Sequence, residues 1–136
     1  MIELSTTNAQ TLAAGQSIIF DTVLLHTGCA ECHRTNTSSV ILTQKNAIYE
    51  ISFNSNIGAT TAGQNAQLGI TLDNSALQET NSIVPTAAAG NLTNVAAATY
   101  IKTCWCGGTN SILLTNTGTT EITVGTGARL SIKRIA

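Results

Sequence analysis

Charge is what this sequence has least of. Of 136 residues, 6 are Lys or Arg and 7 are Asp or Glu, or 10%, where an ordinary soluble domain carries roughly 25%. With a formal net charge of -1 there is no basic stripe to neutralise phosphates, which excludes nucleic acid and anionic membrane surfaces as partners. Long apolar runs are missing as well. The longest, such as Val95 to Ala98, fall far short of the roughly 18 residues a spanning helix needs. The N-terminus lacks a basic region and carries Glu3 and several polar residues before Leu12. That is unlike a secretory signal, so synthesis in a cytoplasm without a signal peptide is expected, and the sequons at Asn36 and Asn91 then need no glycan. Disorder is excluded by the opposite property, since 43% of the residues are apolar and net charge is near zero.

What fills the space left by charge is Thr, Asn and Ser, present 23, 12 and 10 times, a third of the chain. Their side chains solvate a surface without repelling a neighbour, whereas soluble monomers keep apart with a surface about a quarter to a third charged. The composition therefore predicts that much of the surface is covered by copies of the chain or by a larger assembly.

The period of the pattern is two. Tyr49, Ile51, Phe53 and Ile57 share one face of the run 47–57, while Glu50, Ser52, Asn54 and Asn56 occupy the other, which predicts a half-buried strand. Leu68, Ile70 and Leu72 repeat the pattern, as do Ile122 with Val124, and Ala128, Leu130 and Ile132. Further strands are expected over 17–25, 38–43, 92–103 and 111–115, all rich in β-branched residues. Turn signals separate them: Ala14-Gly15, Thr27-Gly28, Lys45-Asn46, Ala62-Gly63, Asp73-Asn74, Gly107-Gly108, Thr117-Gly118 and Gly125 to Gly127. Ala87 to Asn91 reads as loop, Pro85 as part of a connection, and the two Thr-Asn-Thr tripeptides at 35–37 and 115–117 as similar turns. About eight to ten short strands in 136 residues predict a single all-β domain, closed or two-layered and antiparallel.

The order of segments resembles a known family. Ala14-Gly15-Gln16 before a strand, then Ser38 to Leu42 leading by a tight turn into Ile48 to Phe53, resembles the tumour-necrosis-factor-like and complement-like jelly roll. The end, Ile112 to Val124 followed by Ala128 to Ile135, is similar to its bacterial and phage branch, which includes C-terminal domains of collagen-like spore-surface glycoproteins and head or fibre proteins of tailed phages. The resemblance implies a two-sheet antiparallel jelly-roll sandwich of about ten strands, packed as a homotrimer, with the C-terminal strand central in the inner sheet. The chain has no Gly-X-Y stalk, so the implied object is a free-standing trimeric head.

Four cysteines form two clusters, Cys29 and Cys32 followed by His33, and Cys104 and Cys106 around Trp105. Cys29-Ala30-Glu31-Cys32-His33 is the c-type haem attachment pattern. The β context, the lack of an export signal and a single Met at the initiator argue against it. Four sulfurs, or three with His33, would meet the ligand count for zinc, and Cys104 and Cys106 share one side of an extended strand. Free buried thiols and disulfides are the alternatives. His26, His33 and Arg34 sit beside the first cluster, where on a threefold axis three copies could hold an ion.

No enzyme signature accompanies these residues. Glu3, Asp21, Glu31, Glu50, Asp73, Glu79 and Glu121 are scattered singly, with no paired acid and base, nucleophile elbow, phosphate loop or His-x-x-x-His. The expected role is a virion structural protein without catalytic residues, a trimeric capsid decoration or head-fibre protein on a tailed bacteriophage, made in the host cytoplasm. Residues 1–16 would dock on the major capsid protein or another virion component. The alternative is a receptor- or glycan-binding adhesion module on a phage or spore surface, with a host surface glycan as its partner.

Overall fold

Branched apolar residues alternating with Thr, Asn and Ser favour extended backbone, and the described residues form strands with one 3-10 turn, Gln78–Thr80. The structure, a computed structural model, describes residues 1–103 and 109–136. The strands are β1 (Ile2–Ser5), β2 (Gln10–Leu12), β3 (Thr22–His26), β4 (Glu31–His33), β5 (Val40–Leu42), β6 (Ile48–Ala59), β7 (Asn65–Leu72), β8 (Ser75–Ala76), β9 (Ser82–Pro85), β10 (Thr93–Lys102), β11 (Asn110–Thr115), β12 (Ile122–Val124) and β13 (Arg129–Arg134). They make two antiparallel sheets. The first runs β2-β12-β6-β13-β1-β3 with β10 also paired to β6; the second runs β4-β5-β11-β7-β8 with β9 also paired to β7. The C-terminal strand β13 lies between β6 and β1, a central position.

Three pairs of these segments are single strands with a break. β1 and β2 follow one line of partners, from Ile2 opposite Ile132 to Leu12 opposite Ile122. β12 and β13 continue each other along β6, from Ile122 opposite Ala59 to Arg134 opposite Tyr49. β8 and β9 do the same along β7, from Ser75 opposite Leu72 to Pro85 opposite Asn65. Thirteen segments thus amount to ten strands among the described residues.

Threonine hydroxyls replace ladder bonds at these breaks. The first two breaks meet at Thr6, whose Oγ1 accepts the Ala128 N–H at 3.1 Å while its backbone carbonyl accepts the Gly127 N–H at 2.9 Å. In the third, Thr80 Oγ1 accepts the Ile70 N–H at 2.9 Å and donates to the Leu77 carbonyl at 2.7 Å. Thr86 and Thr103 act alike beyond the ends of β9 and β10, accepting the N–H of Ala59 at 2.8 Å and of Ala47 at 2.9 Å. All four threonines are buried. A buried N–H without an acceptor costs about 1–3 kcal/mol, so the breaks are tolerated because a hydroxyl fills each gap.

The core lies between the sheets. Tyr49, Ile51, Phe53 and Ile57 of β6 point into it, as do Leu68 and Ile70 of β7, Ile112 and Leu114 of β11, and Leu130 and Ile132 of β13, all buried. Burial pushes the Tyr49 phenol pKa up, and its hydroxyl donates to the Ala30 carbonyl at 2.8 Å. Gly58 is required at its place in β6, because a Cβ there would lie 2.0 Å from the Asn91 carbonyl oxygen of the loop that crosses it.

Several expectations change. Residues 1–16 do not project freely from the domain: β1 sits between β13 and β3, and Ile2 and Leu4 are part of the core. The run 17–25 does not form one strand; Ser17 and Phe20 make isolated bridges to Thr115 and Thr37, and regular pairing resumes only at β3. Pro85 ends β9 rather than lying in a connection. The Thr-Asn-Thr tripeptides differ. Asn36 has a φ of 65° in an exposed turn, whereas Asn116 is buried, its Nδ2 donating to the Leu12 and Thr120 carbonyls at 3.1 and 2.8 Å.

Two stability measurements follow. Leu4→Ala should lower the unfolding free energy by roughly 2–5 kcal/mol in urea titration, and removal of residues 1–16 should abolish cooperative unfolding; a deletion variant with wild-type stability would contradict the placement of β1. Thr80→Val, which keeps the shape and removes the acceptor, should cost about 1–3 kcal/mol, with Thr80→Ser much milder. Equal effects of the two would show that the hydroxyl is not what matters.

Candidate interaction face

The outer face of the first sheet is set by the polar half of the alternating runs. Registry places Glu3, Ser131, Ser52 and Ala98 in one row across β1, β13, β6 and β10. Arg129, Asn54 and Ala96 form the next, and Lys133, Glu50 and Tyr100 another. Hydroxyl, amide and methyl groups therefore dominate its middle. Asn94 Nδ2 donates to the Oδ1 atoms of Asn54 and Asn56 at 2.8 and 3.1 Å, tying β10 to β6 on this face. A shallow hollow of about 250 Å³, lined by Glu3, Ser52, Asn54, Arg129 and Ser131 among others, lies between the rows. Arg129 and Glu3 pair across it at 3.1 Å, an exposed contact of the kind worth at most about 1 kcal/mol.

Both edges of this sheet expose apolar side chains, with Asn94 and Lys102 also exposed on β10. In β3 the register shifts against Glu3 and Leu4, so that Leu24 is the extra residue between Val23, opposite Leu4, and Leu25, opposite Glu3. Val23, Leu24 and Leu25 are 41%, 50% and 41% exposed. No Lys or Pro blunts the strand, although outer strands usually carry such a guard. At the other edge Tyr100 of β10 is 64% exposed beside Ala98 and Ala96.

Asp21 holds β3 to the break between β1 and β2. Its carboxylate accepts the Thr7 hydroxyl, the Thr7 N–H at 3.1 Å and the Thr22 hydroxyl at 3.0 Å. The Thr7 hydroxyl above all, against a smaller opposing effect of desolvation, holds its pKa below the usual aspartate value.

The cysteine and histidine residues predicted as ligands are divided by the strand. Cys32 of β4 faces outward and is exposed, as is Cys29, while His33, one residue on, turns inward and packs edge-on against Phe20 with ring centroids 6.4 Å apart. His33 Nδ1 donates to the Ser39 carbonyl at 2.9 Å, and Nε2 is buried without a partner among the described residues. Among the described residues, no three His, Cys, Asp or Glu side chains are grouped to hold a metal. Cys104, Trp105 and Cys106 lie outside the described residues. Glu31, one of the scattered carboxylates, was given no role by the sequence. Its side chain is fully buried, one oxygen 3.1 Å from the Met1 ammonium; the only hint was its place two residues before His33 on one strand face.

No protein-family model and no curated protein sequence matches the chain. Solved structures do. Murine APRIL is similar over 97% of this chain and 96% of its own, with a TM-score of 0.57 at 9% identity. The fold is a jelly roll. The PRD1 vertex protein P5 is similar at a TM-score of 0.49 and 13% identity, over 99% of this chain and 96% of its own. A family 35 carbohydrate binding module from Clostridium thermocellum follows at 0.40 and 12%, over 94% and 96%. At 9% identity the likeness to APRIL speaks for the fold alone.

The Asp21 geometry predicts a pH response. A depressed carboxyl stabilises the fold fully above the ordinary aspartate value and loses its contribution as pH falls through the lower folded value. Carbon-detected NMR titration should find Asp21 titrating below the usual range, and Thr7→Val should move its midpoint upward; an unmoved midpoint would contradict the assigned cause.

Proposed function

We propose that the chain is a non-enzymatic structural subunit that assembles as a homotrimer and decorates, or projects as a head fibre from, the capsid of a tailed bacteriophage. The observation that carries the reading is the pair of unlike apolar edges on one sheet, β3 with Leu24 and Leu25 and β10 with Tyr100. A two-fold contact matches a patch with itself. Unlike patches at opposite edges match head to tail, and such contacts close into a ring when the rotation allows. The face between them carries hydroxyl and amide groups, which are less costly to desolvate than charges, together with two charges of each sign, Glu3, Glu50, Arg129 and Lys133. Three is the copy number that the family resemblance implies.

With β1 and β2 built into the sandwich, attachment to the major capsid protein or another virion component would use exposed surface, the turns Thr7 to Ala9 and Ala13 to Gln16 included. The role is geometric and asks for no cofactor.

Light scattering at micromolar concentration should give about three times the 14.1 kDa chain mass. Leu24→Glu and Tyr100→Glu should each shift the protein toward monomer while leaving its circular dichroism intact. A monomeric wild type would overturn the assembly reading, and a trimer that fails to co-sediment with phage capsids would overturn the virion role.

A further inference from the structure

The outer face of the second sheet carries a different feature, a groove of about 340 Å³ over β7 and β11. That volume is within the roughly 300–1,000 Å³ of small-molecule sites. Its floor is Thr71, Leu113 and Thr115; one wall is Ser17, beside the Gly15 turn, and the other is Asn74 of the β7–β8 turn with Ala76 of β8. We propose that this groove binds a neutral saccharide. The site is separate from the assembly face, on the opposite sheet, and the inference does not depend on the trimer.

Three observations carry it. The first is a surplus of hydrogen-bonding capacity. Ser17 Oγ and Thr115 Oγ1 are 2.8 Å apart, and Thr115 Oγ1 and Thr71 Oγ1 are 3.2 Å apart. Three hydroxyls own three hydrogens, and the two links use only two. One donor and several lone pairs are left over in a row where Thr71 and Thr115 are only 6% exposed. A group that both donates and accepts, as a sugar hydroxyl does, suits such a row.

The second is charge. Among the described residues no charged side chain lines the groove. The nearby Asp73 carboxylate is turned to other work, accepting from the Ser111 N–H and Asn110 Nδ2, each at 2.7 Å. An anion would find no cation and an amine no carboxylate, while Leu113 and Ala76 offer apolar surface to the C–H face of a sugar ring.

The third is that the groove is held open by a rigid frame. Asn116 closes one end, its Oδ1 accepting the Gly118 N–H at 3.1 Å and its carbonyl accepting the Gly15 N–H at 2.9 Å. Gly69, beside the floor, has no side chain, and Asn81 occupies that space; a Cβ there would lie 2.3 Å from Asn81 Oδ1. Thr117 is locked in turn, donating to Asn81 Oδ1 at 2.9 Å and accepting from Gln67 Nε2 at 3.0 Å. Polar groups fixed in advance lose little freedom when a ligand arrives.

The test is amide NMR titration of the intact protein with neutral oligosaccharides of glucose, galactose, mannose and N-acetylglucosamine, and with sialyllactose as the anionic comparison. The expected result is shifts confined to residues around Ser17, Thr71, Leu113 and Thr115 to Gly118 for at least one neutral sugar, with no tighter binding of sialyllactose. Thr115→Val should weaken that binding about tenfold, the effect of one lost hydrogen bond. Ala76→Trp, at an exposed position, should fill the groove and abolish binding while leaving thermal unfolding unchanged. Absence of shifts with every neutral sugar, shifts centred elsewhere, or full binding by Ala76→Trp would overturn the proposal.

Discussion

A jelly roll assembled from strands as short as two residues must account for every backbone N–H where a strand stops, because the core on one side leaves no water to accept it. In this protein the acceptor is a buried threonine hydroxyl. Thr6, Thr80, Thr86 and Thr103 each take an N–H from a neighbouring strand at 3.1, 2.9, 2.8 and 2.9 Å. Thr6 joins two breaks at once, so that the first and last parts of the chain, β1 with β2 and β12 with β13, stay in one sheet across their interruptions. Threonine suits the task because its methyl packs with branched aliphatic neighbours while its hydroxyl completes the ladder. Valine has the same shape and would leave the donor stranded.

The abundance of threonine thus has two causes. Some of it is a neutral exterior, as the composition suggested. A further share is internal, and the groove between the Gly15 turn and the β7–β8 turn shows an intermediate use, where Thr71 and Thr115 point outward yet are almost covered. The two exteriors of the sandwich are accordingly unlike. The first sheet offers a flat face with apolar edges, suited to burial against another subunit. The second offers a recess with hydroxyls in its floor, suited to a small polar ligand.

Much of the sandwich was legible in advance from side-chain period. Tyr49, Ile51 and Phe53 alternate with Glu50, Ser52 and Asn54, and those sets do fall on opposite faces of β6. Turn residues were equally readable: Gly15, Gly28, Gly63 and Gly127 have positive φ, as do Asn46, Asp73 and Asn74, where αL backbone is least costly for glycine, asparagine and aspartate. Less was legible of the interaction face. Leu24 and Leu25 have the composition of a core strand, and only the register shift at the sheet edge leaves them outside. Asn116 shows the reverse, a turn-like tripeptide whose middle residue is a buried hub. Cys32 and His33 part because they are adjacent on a strand, and adjacent residues leave on opposite faces.

By itself the sequence determined the class of fold, the faces of the long strands, the places of the turns and the poverty of charge, since each depends on residues close together in the chain. Tertiary structure decided which strand stands at an edge, which threonine meets an orphaned N–H and which outward groups gather into a groove. Those outcomes depend on partners far apart in sequence, such as Thr6 with Ala128, Ser17 with Thr115 and Asp73 with Ser111. A local pattern records what a side chain can do, and only the pairing of distant strands supplies the atom on which it does it.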